Sequence, residues 1–423
     1  MNRLKGLLAL VLLAFCLPAW AVLDIKITQG VDGAIPIAIS PFATTSLSPP
    51  PESVGDIVMG DLKRSGRFNP RAGDNEQNPD LLRWRERGID YLVVGETKEE
   101  APGFYRVTFR LFDTVGGRQM IGYTIPAEKR ELRMAAHQVA DLIYEAILGV
   151  RGAFNTRIIY VTTEGPKTKP RYLLKVADSD GANERTVLNS ASPIMSPAWA
   201  PDSKRVAYVS FEGNRSGIYV QDVYSGERRQ VSNRPGINGA PAWSPDGQRL
   251  AVTLSEGGNP NIYIIDANGG GSRQVTRDRS INTEPAWMPD GNTLVFVSDR
   301  TGSPQLYRVS ASGGDAQRLT FEGRYNTSPV VSPDGKKIAM VNGDGGRFRI
   351  ALLDLESRQY NILTDGRLDE SPSFAPNGSM VIYATREGGR AVLAAVSDDG
   401  RVKQVLFLRE GEVREPSWSP FLN

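Results

Sequence analysis

Side chains able to do acid–base, nucleophilic or metal chemistry are few and scattered in this chain. One histidine, His137, and one cysteine, Cys16, occur among 423 residues. A single imidazole and a lone thiol cannot build an ordinary structural zinc site, nor a Ser-His-Asp triad away from His137. His137 follows Ala136 on an apolar helical stripe, which reads as a helix-surface or packing position. Gly213-Asn214-Arg215-Ser216-Gly217 has its serine one place too late for a Gly-x-Ser-x-Gly elbow, and no helix follows. Asp202, Asp246, Asp290 and Asp334 recur, but each sits in its own Pro-Asp-Gly or Pro-Asp-Ser turn, where Asp bonds back to the chain. Gly269-Gly270-Gly271 lacks the strand-to-helix setting that cradles phosphate. No catalytic residue, metal or cofactor is assigned. Carboxylates gathered by folding remain the one route to acid–base work.

The elements that would position any such groups begin after an export signal. Arg3 and Lys5 precede an apolar run over residues 7–17, and Ala19-Trp20-Ala21 supplies small residues for cleavage before Val22. The run is shorter than the roughly 20 residues a membrane span needs. Phe15 stands where a lipoprotein signal has a small residue before its cysteine. Cys16 leaves with the signal, so the mature chain forms no disulfide. Loss of Arg3 and Lys5 leaves 48 basic against 48 acidic residues. That balance gives no electrostatic reason to expect nucleic acid or anionic membrane as a partner. No later membrane span is expected, and the mature protein should be soluble.

Residues 35–150 alternate strand-like and helix-like patterns, an α/β domain. Ile35, Ile37 and Ile39 recur at period two, and Pro36 should place that strand at a sheet edge or begin there. Val54, Ile57, Val58 and Leu62 fall at helical spacing, as do Leu132, Ala136, Val139, Leu142, Ile143 and Ala146. Residues 79–88 read as a second helix, 91–94 as a strand, and 105–112 with 120–125 as a hairpin about Gly116-Gly117.

Beyond Gly152 the helical pattern ends and a repeat begins. Pro-x-Trp-Ser-Pro or a close variant starts at Pro197, Pro241, Pro285, Pro329, Pro372 and Pro416, spaced 43 or 44 residues. That period belongs to four-stranded propeller blades. The last copy begins a blade that the chain cannot finish, so residues 157–190 should supply its other strands and close a six-bladed β-propeller over 155–423. Trp243 corresponds to Trp199, Trp287 and Trp418, but also to Val331 and Phe374, and Ser244 corresponds to Met288, Ala200 and Ala375. A packing residue tolerates such exchange; a catalytic one does not.

Polar residues precede several repeat prolines: Ile237-Asn238, Asn282-Thr283-Glu284, Tyr325-Asn326-Thr327 and Asp369-Glu370. They lead into the innermost strands and should gather at one channel mouth. They read either as ordinary loop residues or as a polar ring that accepts a partner protein. At the amino terminus, within residues 22–34, Leu23, Ile25 and Ile27 alternate with Asp24 and Lys26 ahead of Gly30 and Gly33. That is a strand on a flexible leash, able to add to another sheet or to serve as an edge strand of the α/β domain.

The repeat, together with Asp56-Ile57-Val58, Asp61-Leu62-Lys63-Arg64-Ser65-Gly66-Arg67-Phe68, Gly149-Val150-Arg151-Gly152-Ala153-Phe154 and Ser419-Pro420-Phe421-Leu422, resembles the TolB family along essentially the whole mature chain. The resemblance implies a periplasmic, non-catalytic component of the Tol–Pal system. Such a protein binds the lipoprotein Pal at one channel mouth and TolA through the segment after the signal, and supports the outer membrane at division. Other outer-membrane or peptidoglycan-associated partners are compatible with it. Ile237 stands where relatives carry a histidine. Two other functions stay open: a propeller lyase or hydrolase using channel-mouth carboxylates, and a glycan-binding propeller.

Overall fold

A computed structural model describes residues 24–30, 33–45, 52–407 and 412–422. The expected signal peptide, its cleavage before Val22, and Leu23 lie outside the described residues.

The α/β domain is built on two helices that share an apolar seam. Helix α1 (Val54–Arg64) starts at Ser53, whose hydroxyl accepts the Asp56 N–H at 3.2 Å. A short α2 (Leu81–Glu86) ends just before Gly88, whose φ of 72° a side chain would resist. Helix α3 (Leu132–Leu148) stops at Gly149, also left-handed. The sheet runs in the order Phe68–Ala72, Ile35–Ile39, Tyr91–Ala101, Phe104–Asp113, Arg118–Glu128. Strand alternation decides the layers: Ile37, Ile39 and Val93 pack under α1 and α3, while Ala38, Leu92 and Val94 face Trp84 of α2.

The strand carrying Pro36 is interior to this sheet. It pairs in parallel with Phe68–Ala72 from Ile35 onward, but with Tyr91–Ala101 only from Ile37. The missing N–H of Pro36 therefore faces a neighbour whose ladder has not yet begun, and nothing is left unpaired.

Six four-stranded blades follow. Their innermost strands are Ile194–Trp199 (blade 1), Asn238–Trp243 (blade 2), Asn282–Trp287 (blade 3), Tyr325–Val331 (blade 4), Glu370–Phe374 (blade 5) and Glu412–Trp418 (blade 6). Blade 6 takes its other strands from Arg157–Glu164, Arg171–Asp178 and Arg185–Ser190, with Trp418 opposite Ile158 and Glu412 opposite Thr163. The ring closes as expected.

The repeat tryptophans join blades. Trp243 packs on Ala207, Val209 and Ile218 of blade 1 and donates its indole N–H to the Ala198 carbonyl at 3.1 Å. Trp287 does the same to Ala242 at 3.1 Å, and Trp199 to Ser417 at 3.2 Å. Arg205 lies 4.9 Å over Trp243 and Arg249 5.0 Å over Trp287, adding a cation–π cover. Val331 and Phe374 fill the same seam without a donor. The repeated aspartates make turns: Asp246 accepts the Gln248 N–H and Asp334 the Lys336 N–H, each at 3.0 Å.

The amino-terminal strand joins the propeller rather than the α/β sheet. Asp24–Gln29 pairs antiparallel with Lys403–Phe407, with Ile25 opposite Leu406, and becomes a fifth strand on blade 5. The α/β domain meets the far ends of blades 5 and 6. The Gln404 amide donates to the Arg64 carbonyl, Arg67 pairs with Asp399 at 3.0 Å, and Asn377 reaches the Arg151 carbonyl at 2.9 Å.

Candidate functional site: the channel and its free mouth

Each innermost strand enters the ring through a β-bulge placed at its repeat proline. Ladder register shifts there in all six, between Thr283 and Ala286 in blade 3 for example. The residue before each proline, Ser196, Ala240, Glu284, Ser328, Ser371 or Glu415, has φ between 47° and 55°. Left-handed geometry at six residues with side chains costs about 1 kcal/mol or more apiece. All six line a channel of about 790 Å³ with the repeat prolines and tryptophans.

Two of these residues are acidic and stand three blades apart in a ring of six, facing each other across the channel. The Glu284 carboxylate accepts the Ser328 N–H of the next blade at 2.6 Å, and Glu415 accepts that of Ser196. Burial pushes both carboxyls above their ordinary range, while the amide hydrogen bonds pull the other way.

Three positions before each proline the expected partner-facing residues turn inward. Asn238, Asn282 and Asn326 are fully buried and Asp369 nearly so. Asn238 accepts from Ser232 Oγ at 2.6 Å and from Arg234 N at 3.0 Å, and donates to the Arg234 carbonyl at 2.7 Å. Asn282 spans Asn261 and Asp278, both at 3.0 Å. Asn326 holds Gln305 at 2.9 Å and accepts Tyr360 Oη at 2.8 Å. Asp369 accepts Thr364 at 2.6 Å and Thr385 at 2.5 Å, and burial raises its carboxyl. These side chains brace the interblade loops from beneath and do not face solvent, and Thr327 is buried as well.

The surface they brace is what the loops expose. Ile237 and the unanticipated Ile281 are each 49% exposed, and Phe321 is 72% exposed. Glu370 is exposed, and Thr283, Glu284 and Tyr325 are half-buried. Period-two alternation through Ile237-Asn238 and Ile281-Asn282 could have separated the outward residue from the inward one. This mouth lies at the opposite end of the inner strands from the α/β domain, which touches the turns around Asn377 and Asp399.

Of the amino-terminal candidates, Asp24, Ile25, Lys26 and Ile27 all lie in the strand paired to blade 5. His137 takes the packing rather than the helix-surface position, among charged partners. It is buried where α3 meets α1 and blade 6, with Nδ1 2.6 Å from Asp61 Oδ2.

Known proteins match this arrangement over nearly its full length. The TolB amino-terminal domain family matches residues 23–120 and the TolB beta propeller domain family residues 144–422. Tol-Pal system protein TolB of Thioalkalivibrio sulfidiphilus is 60% identical over 424 residues, covering 97% of this chain and 98% of that relative. Tol-Pal system protein TolB of Nitrosococcus oceani is 53% identical, covering 99% and 98%. A crystal structure of TolB from Acinetobacter baumannii superposes with a TM-score of 0.87 at 42% identity, covering 94% of this chain and all of that one.

Proposed function

This chain belongs to the TolB family of the Tol–Pal system, and from that premise we propose that it is a non-catalytic periplasmic adaptor linking Pal to TolA. It would receive Pal at the free mouth of the propeller and offer TolA its amino-terminal strand. Through these contacts it would support outer-membrane integrity and constriction at cell division. One observation carries the reading: exposed Ile237, Ile281, Phe321 and Glu370 stand on loops held from below by fully bonded buried amides. Such a surface is already ordered before a partner arrives, which lowers the entropic cost of docking.

The amino-terminal strand supports the second contact. It adds to the outer edge of blade 5 by backbone pairing and can be offered elsewhere as a strand, the β-augmentation mode of recognition. Glu284 and Glu415 favour a structural reading over acid–base work, since each carboxylate is turned to the neighbouring blade's amide. The repeat tryptophans are packed between blades, which leaves no row of exposed indoles for a sugar.

Titrating purified Pal onto the mature chain tests the proposal. Wild type should bind, and Ile281→Asp should weaken binding at least about tenfold, the loss of one good contact. No binding by wild type would remove Pal as partner. Equal binding by Ile237→Asp, Ile281→Asp and Glu370→Ala would move Pal to another face.

A further inference from the structure

We propose that His137 is a proton-operated clasp between the two domains, tightening the hold of α1 and α3 on a turn of blade 6 as an imidazolium and loosening it when it loses its proton. The imidazole is buried with a carboxylate on each side. Nδ1 lies 2.6 Å from Asp61 on α1, and Nε2 lies 3.6 Å from Asp180 in the turn that follows strand Arg171–Asp178. Nε2 has no hydrogen-bond partner, although it is shielded from solvent.

A neutral imidazole fits this slot badly. With the proton on Nδ1 toward Asp61, the bare Nε2 lone pair would face the Asp180 carboxylate, acceptor against acceptor. With both nitrogens protonated, each N–H faces a negative charge. Asp61 and Asp180 come from different domains, so the proton joins them.

Every neighbouring element contributes charge. Arg64 of α1 bonds Asp61 at 3.1 Å and the Ser179 carbonyl at 2.8 Å. Arg133 of α3 bonds Glu52 at 2.7 Å and also holds Asp180. Asp178 lies beside them with Arg157 at 3.8 Å, and Asp141 of α3 sits behind Asp61. The two guanidiniums already fill the place of a bound cation. The guanidiniums stay charged at any ordinary pH, whereas His137 and Asp141, whose carboxyl burial raises to about 6, are the members whose charge changes near neutrality.

Burial pushes the imidazole pKa down, and the Asp61 and Asp180 carboxylates outweigh it, leaving it raised from 6.5. The sign follows. The clasp is fully closed below the ordinary imidazole range and is lost as pH rises through the raised value.

Because His137 is the only histidine, its titration can be read without assignment by NMR on the full mature chain. The midpoint should lie above 6.5. Amide exchange in residues 178–181, corrected for intrinsic rates, should be faster at pH 9 than at pH 6, because the imidazolium is lost over that range. His137→Gln should show fast exchange at both pH values, and Asp180→Asn should lower the midpoint. A midpoint at or below 6.5, or wild-type pH dependence retained in His137→Gln, would overturn the clasp. Should the Gln variant not fold, an unchanged midpoint in Asp180→Asn overturns it equally.

Discussion

Glu284 accepts the Ser328 N–H at 2.6 Å, so a side chain of blade 3 caps the strained entry of blade 4. Glu284→Ala should leave that amide unpaired and cost about 1–3 kcal/mol in urea unfolding, while Glu284→Gln, still an acceptor, recovers most of it. The carboxyl is raised by burial, so the folded state holds its proton longer than the unfolded chain. Wild type should therefore lose ground to Glu284→Gln as pH rises from the ordinary carboxyl range through the raised value. A constant gap between the two across pH 4–7 would contradict this.

The braces and the exposed loop tips should separate in experiment. Asn282→Ala opens bonds to Asn261 and Asp278 and should cost about 1–3 kcal/mol of stability. Ile281→Asp, at an exposed position, should cost less than about 0.5 kcal/mol yet weaken partner binding. Paired unfolding and binding curves would show it. If the alanine change left stability intact, the bracing role would be wrong.

Trp243→Phe keeps most of the packing but loses the N–H to Ala198, and should cost about 1–2 kcal/mol, whereas Trp243→Ala should cost about 3–5. No loss in Trp243→Phe would mean that the indole hydrogen bond contributes nothing.

Ala240 is held at φ 47°, in the left-handed region. Ala240→Gly should be neutral or stabilising by up to about 1 kcal/mol, since glycine adopts that geometry freely. The same change at Ala242, two residues on in the ladder opposite Ala251, should destabilise by about 0.5–1 kcal/mol. A clear loss at Ala240 would mean its methyl group packs usefully.

Ile25→Pro removes a backbone donor from the strand opposite Leu406. The strand should detach while the six blades and the mouth stay folded. Exchange at residues 403–407 should rise, and Pal binding should persist. Unfolding of blade 5 in this variant would show that the added strand is integral to the ring.

The blade count and its closure were legible because packing repeats: a tryptophan seam every 43 or 44 residues leaves its period in the chain. The helices were legible from the spacing of Val54, Val58 and Leu62 and of Leu132, Ala136, Val139 and Ile143. The mouth was half legible. Asn238 and Ile237 are adjacent in sequence, yet one is buried and the other exposed, a difference that polarity alone does not give. His137 packs in the interior, one of its two sequence readings, but its partners were hidden because they stand far off, Asp61 on another helix and Asp180 in the other domain. The strand of Pro36 was interior because a missing donor matters only where a ladder demands it.

The pairing of Glu412–Trp418 with Arg157–Glu164 has a consequence in time. A chain made from its amino end at about 5–20 residues per second finishes five blades before the strand that locks the sixth exists. Until then Arg157–Glu164 waits with an open inner edge, the ring unlocked for the whole of the propeller's synthesis. A chain interrupted before Glu412 would carry five whole blades and three strands of the sixth, yet not lock them in a ring, a defect that exposes β-edges to proteases and to other chains. The strand Glu412–Trp418 thus acts as a seal made only after the other five blades.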